Sequence, residues 1–171
     1  MKKTILLVLF SMTLKAEFEY IESFEAKFIQ KIVSNKNKIE YIGEMMAKKP
    51  SFVKWVYNSP VVKTVCIDKK ELLIIEYDLE QAIITKMDDA IDFLSILKSA
   101  KKADNNLFKA NYEGVEYSIF LTEKSKIEKI TYTDKNENQV EIKLTDSKIN
   151  QKLDSEALKC SIPSEFDIIS R

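Results

Sequence analysis

The fold is indicated by one stretch of the chain, Lys48-Lys49-Pro50-Ser51-Phe52-Val53-Lys54-Trp55-Val56-Tyr57-Asn58-Ser59-Pro60. It contains the only tryptophan and two of the three prolines of the sequence. Val53, Trp55 and Tyr57 fall on alternate positions, which is the period of a β-strand. Because proline favours turns, Pro50 and Pro60 indicate a turn at either end of this strand.

The same two-residue period recurs along the chain. Val65–Ala82 has apolar runs separated by polar turns at Asp68 and Asp78. Ser23–Ile32 places Phe24, Ala26 and Phe28 on one face, and alternation returns in four later segments: Glu40–Ala47, Tyr117–Leu121, Lys126–Thr133 and Val140–Thr145. Turns are predicted at Tyr112–Val115 and Asp134–Asn138. Short strands of this kind predict one large antiparallel sheet with one wetted face.

Two segments interrupt the alternation and predict helices. Glu17–Ile21 is a short candidate, and Met87–Ala103 is a longer one with Asp88 as its N-cap. The apolar positions of the second helix cover a wide arc, so the helix needs a concave apolar surface to pack on. The predicted fold is α+β, mainly β: a highly curved antiparallel sheet forming an incomplete barrel, with a helical lid over an apolar cavity.

The start of the chain predicts export. Met1-Lys2-Lys3 precedes a short apolar run from Ile5 to Leu14, and Ala16 suits a cleavage site, so residues 1–16 are predicted to be a signal peptide. The first cysteine is Cys66, far from this run, so no lipid attachment is expected. Residues 17–171 form the predicted single domain, with 24 basic and 27 acidic residues. This slight acidity does not favour nucleic-acid binding.

Cysteine usage leaves two alternatives open. Cys66 lies in an apolar predicted strand, and Cys160 lies in what we interpret as the last strand. In an exported protein the two can form a disulfide if those strands are neighbours. Buried free thiols are an equally acceptable outcome, because cysteine packs well as a small apolar residue.

The composition disfavours an enzyme. The chain has no histidine and only two glycines, Gly43 and Gly114, so it lacks the usual general base and cannot build a glycine-rich phosphate loop. Two separate cysteines cannot form a cysteine-rich zinc site. We therefore expect no catalytic residues, no metal and no cofactor. The sequence offers apolar surface instead, with 9 Phe, 7 Tyr and 1 Trp.

Several stretches, in order, resemble the periplasmic outer-membrane lipoprotein carrier (LolA) family. They are Ser23–Lys31 as a first strand, Gly43 followed by Lys49-Pro50 and Trp55, Asp68 to Gln81-Ala82, and Ser161–Ile169 as a closing turn and apolar segment. The resemblance implies a periplasmic, non-enzymatic chaperone that takes acylated lipoproteins from an inner-membrane ABC transporter and shields their acyl chains. It also implies a monomer and a possible outer-membrane acceptor.

The resemblance implies site residues as well. Those expected at the acyl-chain cavity are Phe24, Phe28, Val53, Trp55, Tyr57, Leu73 and Ile75, and those of the lid are Phe93, Leu94 and Leu97. In the family an Arg before the Pro bonds carbonyls of the lid. Here that position is Lys49, which lacks the planar fork of Arg, so we expect a lid that is held less firmly. Lys49 as a simple rim residue is the alternative.

Two other functions stay open at this point. The first is a periplasmic carrier or sensor of another lipid on the same fold. The second is a non-enzymatic envelope module that binds a protein partner through a sheet edge. Co-purified lipid favours either carrier, whereas a fully packed interior favours the module.

Overall fold

The structure is a computed structural model that describes residues 18–35, 37–86, 93–154 and 156–170. The predicted signal peptide, the proposed N-cap Asp88 and the first part of the predicted long helix lie outside these residues. No helix in the described ranges is long and apolar enough to cross a membrane.

Within the described residues, twelve strands form one sheet. They are β1 Ser23–Val33, β2 Lys38–Lys48, β3 Phe52–Ser59, β4 Lys63–Asp68, β5 Glu71–Glu76, β6 Gln81–Lys86, β7 Lys101–Asp104, β8 Leu107–Tyr112, β9 Val115–Leu121, β10 Ile127–Thr133, β11 Gln139–Ile149 and β12 Asp167–Ser170. A 3-10 helix spans Tyr77–Leu79 and an α-helix, α1, spans Phe93–Ser99.

The sheet is open and curved. Its strand order is β12-β6-β5-β4-β3-β2-β1-β11-β10-β9-β8-β7, so β12 and β7 are unjoined edges. Residues from both halves meet in one apolar cluster with α1, which requires a concave face. The predicted mainly-β, incomplete-barrel fold is confirmed. One pair departs from the antiparallel expectation, since β12 runs parallel to β6.

The pairing register fixes which residues share a face. Directly paired residues of antiparallel strands point the same way. Trp55 pairs with Val65, Val65 with Ile74, and Ile74 with Ile83. We call the concave face that carries this row the inner face. The adjacent row, Lys54, Cys66, Leu73 and Ile84, lies on the convex outer face.

The two helix predictions need correction. The α-helix ends at Ser99, not at Ala103, because Lys101 and Lys102 pair with Lys109 and Phe108 as part of β7. This strand supplies hydrogen-bond partners to β8. In Glu17–Ile21, residues 18–20 form a turn instead of a helix, closed by Ile21 N donating to the Phe18 carbonyl at 3.1 Å.

The predicted turns at Tyr112–Val115 and Asp134–Asn138 are confirmed. Glu113 and Gly114 both have positive φ, as a two-residue hairpin turn requires. At the second turn, burial acts to raise the pKa of Asp134, but the hydrogen bonds that its carboxylate accepts from the Asn138 side chain and from the backbone of Asn138 and Asn136 lower it overall.

Candidate functional site

The centre of the inner face is apolar and tightly packed. Phe24, Phe28 and Val53 are at most 1% exposed, and they belong to one cluster that includes residues of eight strands and α1. Trp55 and Tyr57 are half-buried and pack against this cluster. Five of the seven predicted cavity residues therefore lie together on the inner face.

The other two predicted cavity residues do not join them. Leu73 pairs with Cys66, and Ile75 pairs with Thr64, so both lie on the outer face. The prediction that Leu73 and Ile75 share the face of Trp55 was wrong, because the alternation was read one residue out of register. The cause is that Leu72 to Ile75 are all apolar, so alternation cannot show which face is inner.

The three predicted lid residues are buried on α1. Phe93, Leu94 and Leu97 are at most 4% exposed, and the ring of Phe93 lies 5.0 Å from the ring of Phe24. The helix also contacts β8 and β2. It therefore lies over the inner face where β1 begins and β2 ends. We call this end of the sheet the helix end.

Lys49 holds the N-terminal segment at the helix end. Its Nζ donates to the carbonyl of Glu19 at 3.1 Å and to the Glu22 carboxylate at 2.8 Å. The same segment is anchored by Phe18 and Ile21, which are buried in the apolar cluster. Lys49 thus ties down a segment that covers the cluster beside α1, while its role as a latch stays a prediction.

An aromatic group occupies the opposite part of the inner face. The Phe28 ring lies 5.0 Å from Trp55 and 5.2 Å from Tyr57, both edge to face. The Tyr57 hydroxyl donates to Gln30 Oε1 at 3.2 Å. Gly43 makes this packing possible, because a Cβ there would lie 2.7 Å from the Phe28 ring.

Tyrosines surround this group. Tyr41 stacks edge to face on Tyr57 at 5.5 Å, and Tyr117 lies 4.8 Å from Tyr132 in the other half of the sheet. Burial, with a smaller effect of Tyr41, raises the pKa of Tyr57 to about 12. Burial also raises the pKa of Tyr132, helped by Tyr117 and Tyr57. These hydroxyls therefore remain protonated donors at neutral pH.

Lys63 lies on the inner face beside these tyrosines. Its Nζ lies 4.7 Å from the ring centre of Tyr57 and 5.2 Å from that of Tyr41, a cation–π arrangement. Its register partner Glu76 accepts a 2.6 Å bond from Gln81 Nε2. We call this end of the sheet, where β3 ends and β4 begins, the tyrosine end.

The outer face is covered in part by the C-terminal segment. Cys66 is bonded to Cys160, which decides the question left open by the sequence. Cys160 lies in an irregular segment before β12, not in a strand as predicted. Lys54 Nζ donates to the carbonyls of Ala157 and Lys159 at 2.9 and 2.6 Å, and burial lowers its pKa.

Sequence reasoning missed Lys63, Val65, Ile74 and Ile83 as inner-face residues. A usable signal was present in the turns. Asp68 pairs with Glu71 across Lys69-Lys70, and counting back from this turn pairs Val65 with Ile74. Among the residues that the structure describes, no three His, Cys, Asp or Glu side chains lie together in a way that could hold a metal ion.

Comparison with known proteins identifies the family. Residues 19–161 match the family described as "Outer membrane lipoprotein carrier protein LolA". The chain belongs to the LolA family. A relative from Wolinella succinogenes named outer-membrane lipoprotein carrier protein is 34% identical over 170 residues, with 99% of each chain covered. One of the same name from Campylobacter jejuni is 32% identical over 170 residues, again with 99% of each covered.

Solved structures agree on the fold. An uncharacterized conserved protein from Thermus thermophilus superposes with a TM-score of 0.57 at 14% identity, over 92% of this chain and 95% of that one. A LolA superfamily protein from Nitrosomonas europaea gives 0.51 at 9% identity, over 82% and 91%. These likenesses confirm the fold, whereas the family resemblance is confirmed by the family match and the 34% identical relative.

Proposed function

We propose that this protein is a periplasmic carrier that shields the acyl chains of outer-membrane lipoproteins on its inner face. The observation that supports this most is the apolar cluster, in which eight strands and α1 meet on one concave surface. Membership of the LolA family and the names of its relatives support the same role.

In the described conformation the centre of the inner face is packed, which by itself suits the interaction module; the family match and the names of the relatives favour the carrier. Because Phe24, Phe28 and Val53 are inaccessible, an acyl chain reaches them only if α1 or the N-terminal segment moves. The helix buries four apolar side chains, Phe93, Leu94, Ile96 and Leu97. At about 2 kcal/mol each, their exposure costs roughly 8 kcal/mol, which about ten newly buried methylene groups offset at ~0.8 kcal/mol each.

This near-equality between the cost of exposing α1 and the gain from burying acyl chains allows the cargo to be transferred without any chemical reaction. The acyl chains themselves are bound through apolar contact, so loading and release depend on which neighbouring surface buries them better. Lipoprotein cargo, an inner-membrane ABC transporter as donor and an outer-membrane acceptor are the partners of this proposal. No bond is made or broken, so the protein acts as a chaperone instead of an enzyme.

The proposal is tested with a synthetic lipopeptide and the same peptide without acyl chains, using isothermal titration calorimetry. We expect one-to-one binding of the acylated peptide alone, with a negative heat-capacity change from apolar burial. Binding of neither peptide, or equal binding of both, would contradict it. Binding of a free phospholipid in preference to the lipopeptide would indicate a carrier of another lipid.

Two adjacent isoleucines provide matched variants. Ile83 and Ile84 are both half-buried on β6, but Ile83 lies on the inner face and Ile84 on the outer face. Ile83→Gln should weaken lipopeptide binding several-fold because it places an amide against the acyl chain. Ile84→Gln should leave it unchanged. A larger effect of Ile84→Gln than of Ile83→Gln would place the binding site on the outer face and contradict the proposal.

A further inference from the structure

The inner face is chemically uneven along its strands. Toward the helix end, one paired row runs from Ala47 through Val53, Ile67 and Leu72 to Thr85, and all but Thr85 are apolar. Toward the tyrosine end, another row runs from Tyr57 through Lys63 and Glu76 to Gln81. Five of the seven tyrosines lie at this end of the inner face: Tyr41, Tyr57, Tyr112, Tyr117 and Tyr132. Acyl chains alone would make no hydrogen bonds with the polar side chains at this end, so these side chains point to a ligand that also carries polar atoms.

Lys63 is the most unusual group at this end. Its ammonium is half-buried over two aromatic rings, and within the described residues it forms no ion pair with a carboxylate. The carboxylate of its register partner Glu76 is engaged by Gln81. An ammonium has three donor hydrogens and no acceptor. Lys63 therefore has unused capacity to donate to oxygen atoms of a ligand.

The rim beside Lys63 is apolar and exposed. Val61 and Val62, in the turn between β3 and β4, are 37% and 43% exposed, and Leu79, in the 3-10 helix between β5 and β6, is 63% exposed. The turn and this helix are joined by Tyr77 N, which donates to the Val62 carbonyl at 3.3 Å. The helix end, in contrast, is covered by α1 and the segment that Lys49 holds. The tyrosine end is thus the end with accessible apolar surface next to polar donors.

We propose that the tyrosine end binds the ester and amide oxygens at the polar root of the acyl chains. The acyl chains then run from Lys63 past Trp55 toward α1, and the polypeptide of the cargo leaves over Val61 and Val62. This inference rests on the proposed carrier function and adds to it an orientation and a polar subsite. Its donor is the Lys63 ammonium, because the Tyr57 hydroxyl already donates to Gln30, and its ligand class is an acylated glyceride ester.

The orientation is tested through Trp55, the only tryptophan. Trp55 lies two residues from Tyr57 on β3, about 7 Å along the strand. Lipopeptides are prepared with bromine atoms either beside the ester or at the far end of the chain, because bromine quenches tryptophan fluorescence at short range. We expect stronger quenching by bromine beside the ester. Stronger quenching by bromine at the far end would reverse the orientation and overturn the proposal.

The polar subsite is tested by comparing a diester lipopeptide with a diether analogue that lacks the carbonyl oxygens. Hydrogen bonds to a charged group contribute enough for about a tenfold change in affinity. We expect Lys63→Met to weaken diester binding about tenfold and to leave diether binding unchanged. Equal losses for both ligands, or no loss, would overturn the subsite.

Lys129→Met is the matched control. Lys129 also lies over an aromatic ring, 4.3 Å from the centre of Phe120, but its register partner Lys143 places it on the outer face. It should change neither affinity. If Lys63→Met does not fold, the unaltered protein still decides the question, because it should bind the diester about tenfold more tightly than the diether. Failure to bind any acylated ligand would instead overturn the carrier function itself.

Discussion

The rings of Phe24 and Phe93 lie 5.0 Å apart, and this contact joins the first strand of the sheet to the helix that covers it. Phe24 has no exposed surface in this arrangement. The helix therefore occupies apolar surface that we assign to the cargo. Ligand and helix compete for the same side chains, so the strength of the contact should affect both stability and loading.

Phe93→Ala should separate these two effects. Loss of a buried phenyl ring should lower the free energy of unfolding by about 3 kcal/mol. The same change should increase affinity for an acyl lipopeptide, because less apolar contact has to be broken when the helix moves. Urea unfolding and calorimetric titration measure the two quantities.

The control for Phe93→Ala is Ile75→Ala, a buried change on the outer face of β5. It should lower stability without raising affinity. An affinity that falls in Phe93→Ala but not in the control would mean that α1 is a fixed part of the binding surface and does not act as a lid.

The Cys66–Cys160 bond should stabilise the fold considerably. It closes a loop with a sequence separation of 94, and loops of this length correspond to about 3 to 5 kcal/mol. Cys66→Ser combined with Cys160→Ser should lower the free energy of unfolding by this amount and remove its dependence on reductant. Hydrogen exchange should increase near Ala157 and in β12, while β11 should change little. An unaltered exchange rate at Ala157 would show that Lys54 alone holds the segment.

Lys49→Arg tests how firmly the N-terminal segment is held. Lys49 Nζ contacts both the Glu19 carbonyl and the Glu22 carboxylate, and the planar fork of Arg can serve two such acceptors together. The pair is partly exposed, so the stability change should stay below about 1 kcal/mol. Dissociation of a bound lipopeptide, measured by stopped flow, should become slower.

Lys48→Arg is the control for that variant, since Lys48 is the exposed neighbouring residue. It should leave the dissociation rate unchanged. If Lys49→Arg has no effect on the rate either, Lys49 is a rim residue and its contacts do not restrain loading.

Alkaline pH should weaken the fold through the tyrosine end. Burial raises the pKa of Tyr57 to about 12 in the folded state, whereas an unfolded tyrosine has a pKa of about 10. Between these values the unfolded chain releases its proton and the folded chain retains it, so stability falls as pH rises from about 10 to about 12. Below pH 10 this contribution is constant.

Tyr57→Phe should make that decline shallower, as measured by urea unfolding across the alkaline range. Tyr132 remains in this variant and also has a raised pKa, so part of the decline persists. Tyr20→Phe is the control because its ring is 60% exposed. A decline of equal slope in Tyr57→Phe and in the unaltered protein would be inconsistent with the burial of the Tyr57 hydroxyl.

The sequence predicts which face a strand residue takes where one face of the strand is exposed to solvent. In β1, charged residues occupy most of the outer positions, so Phe24 and Phe28 are identified as inner residues by alternation. This alternation was therefore enough to predict that the two Phe side chains of β1 line the site. Lys49 was named through the family resemblance, and its role as a latch stays a prediction.

The sequence predicts less where both faces are covered. Residues 157–160 lie against the outer row that contains Lys54 and Cys66. This cover allows apolar residues on both sides of β5, so the alternation disappears and Leu73 and Ile75 were assigned to the wrong face. The end of α1 was missed for a related reason: Lys101 and Lys102 suit a helix C-terminus, but pairing with β8 makes them a strand.

The most direct test of the carrier function uses the protein from Glu17 onward, incubated with ATP-energised spheroplasts of its own host. The soluble fraction is examined for lipoproteins in complex with the protein. We predict soluble one-to-one complexes that carry intact acyl chains, depend on ATP and are reduced in Ile83→Gln but not in Ile84→Gln. Release of no lipoprotein by a folded protein that binds lipopeptide normally would contradict the account.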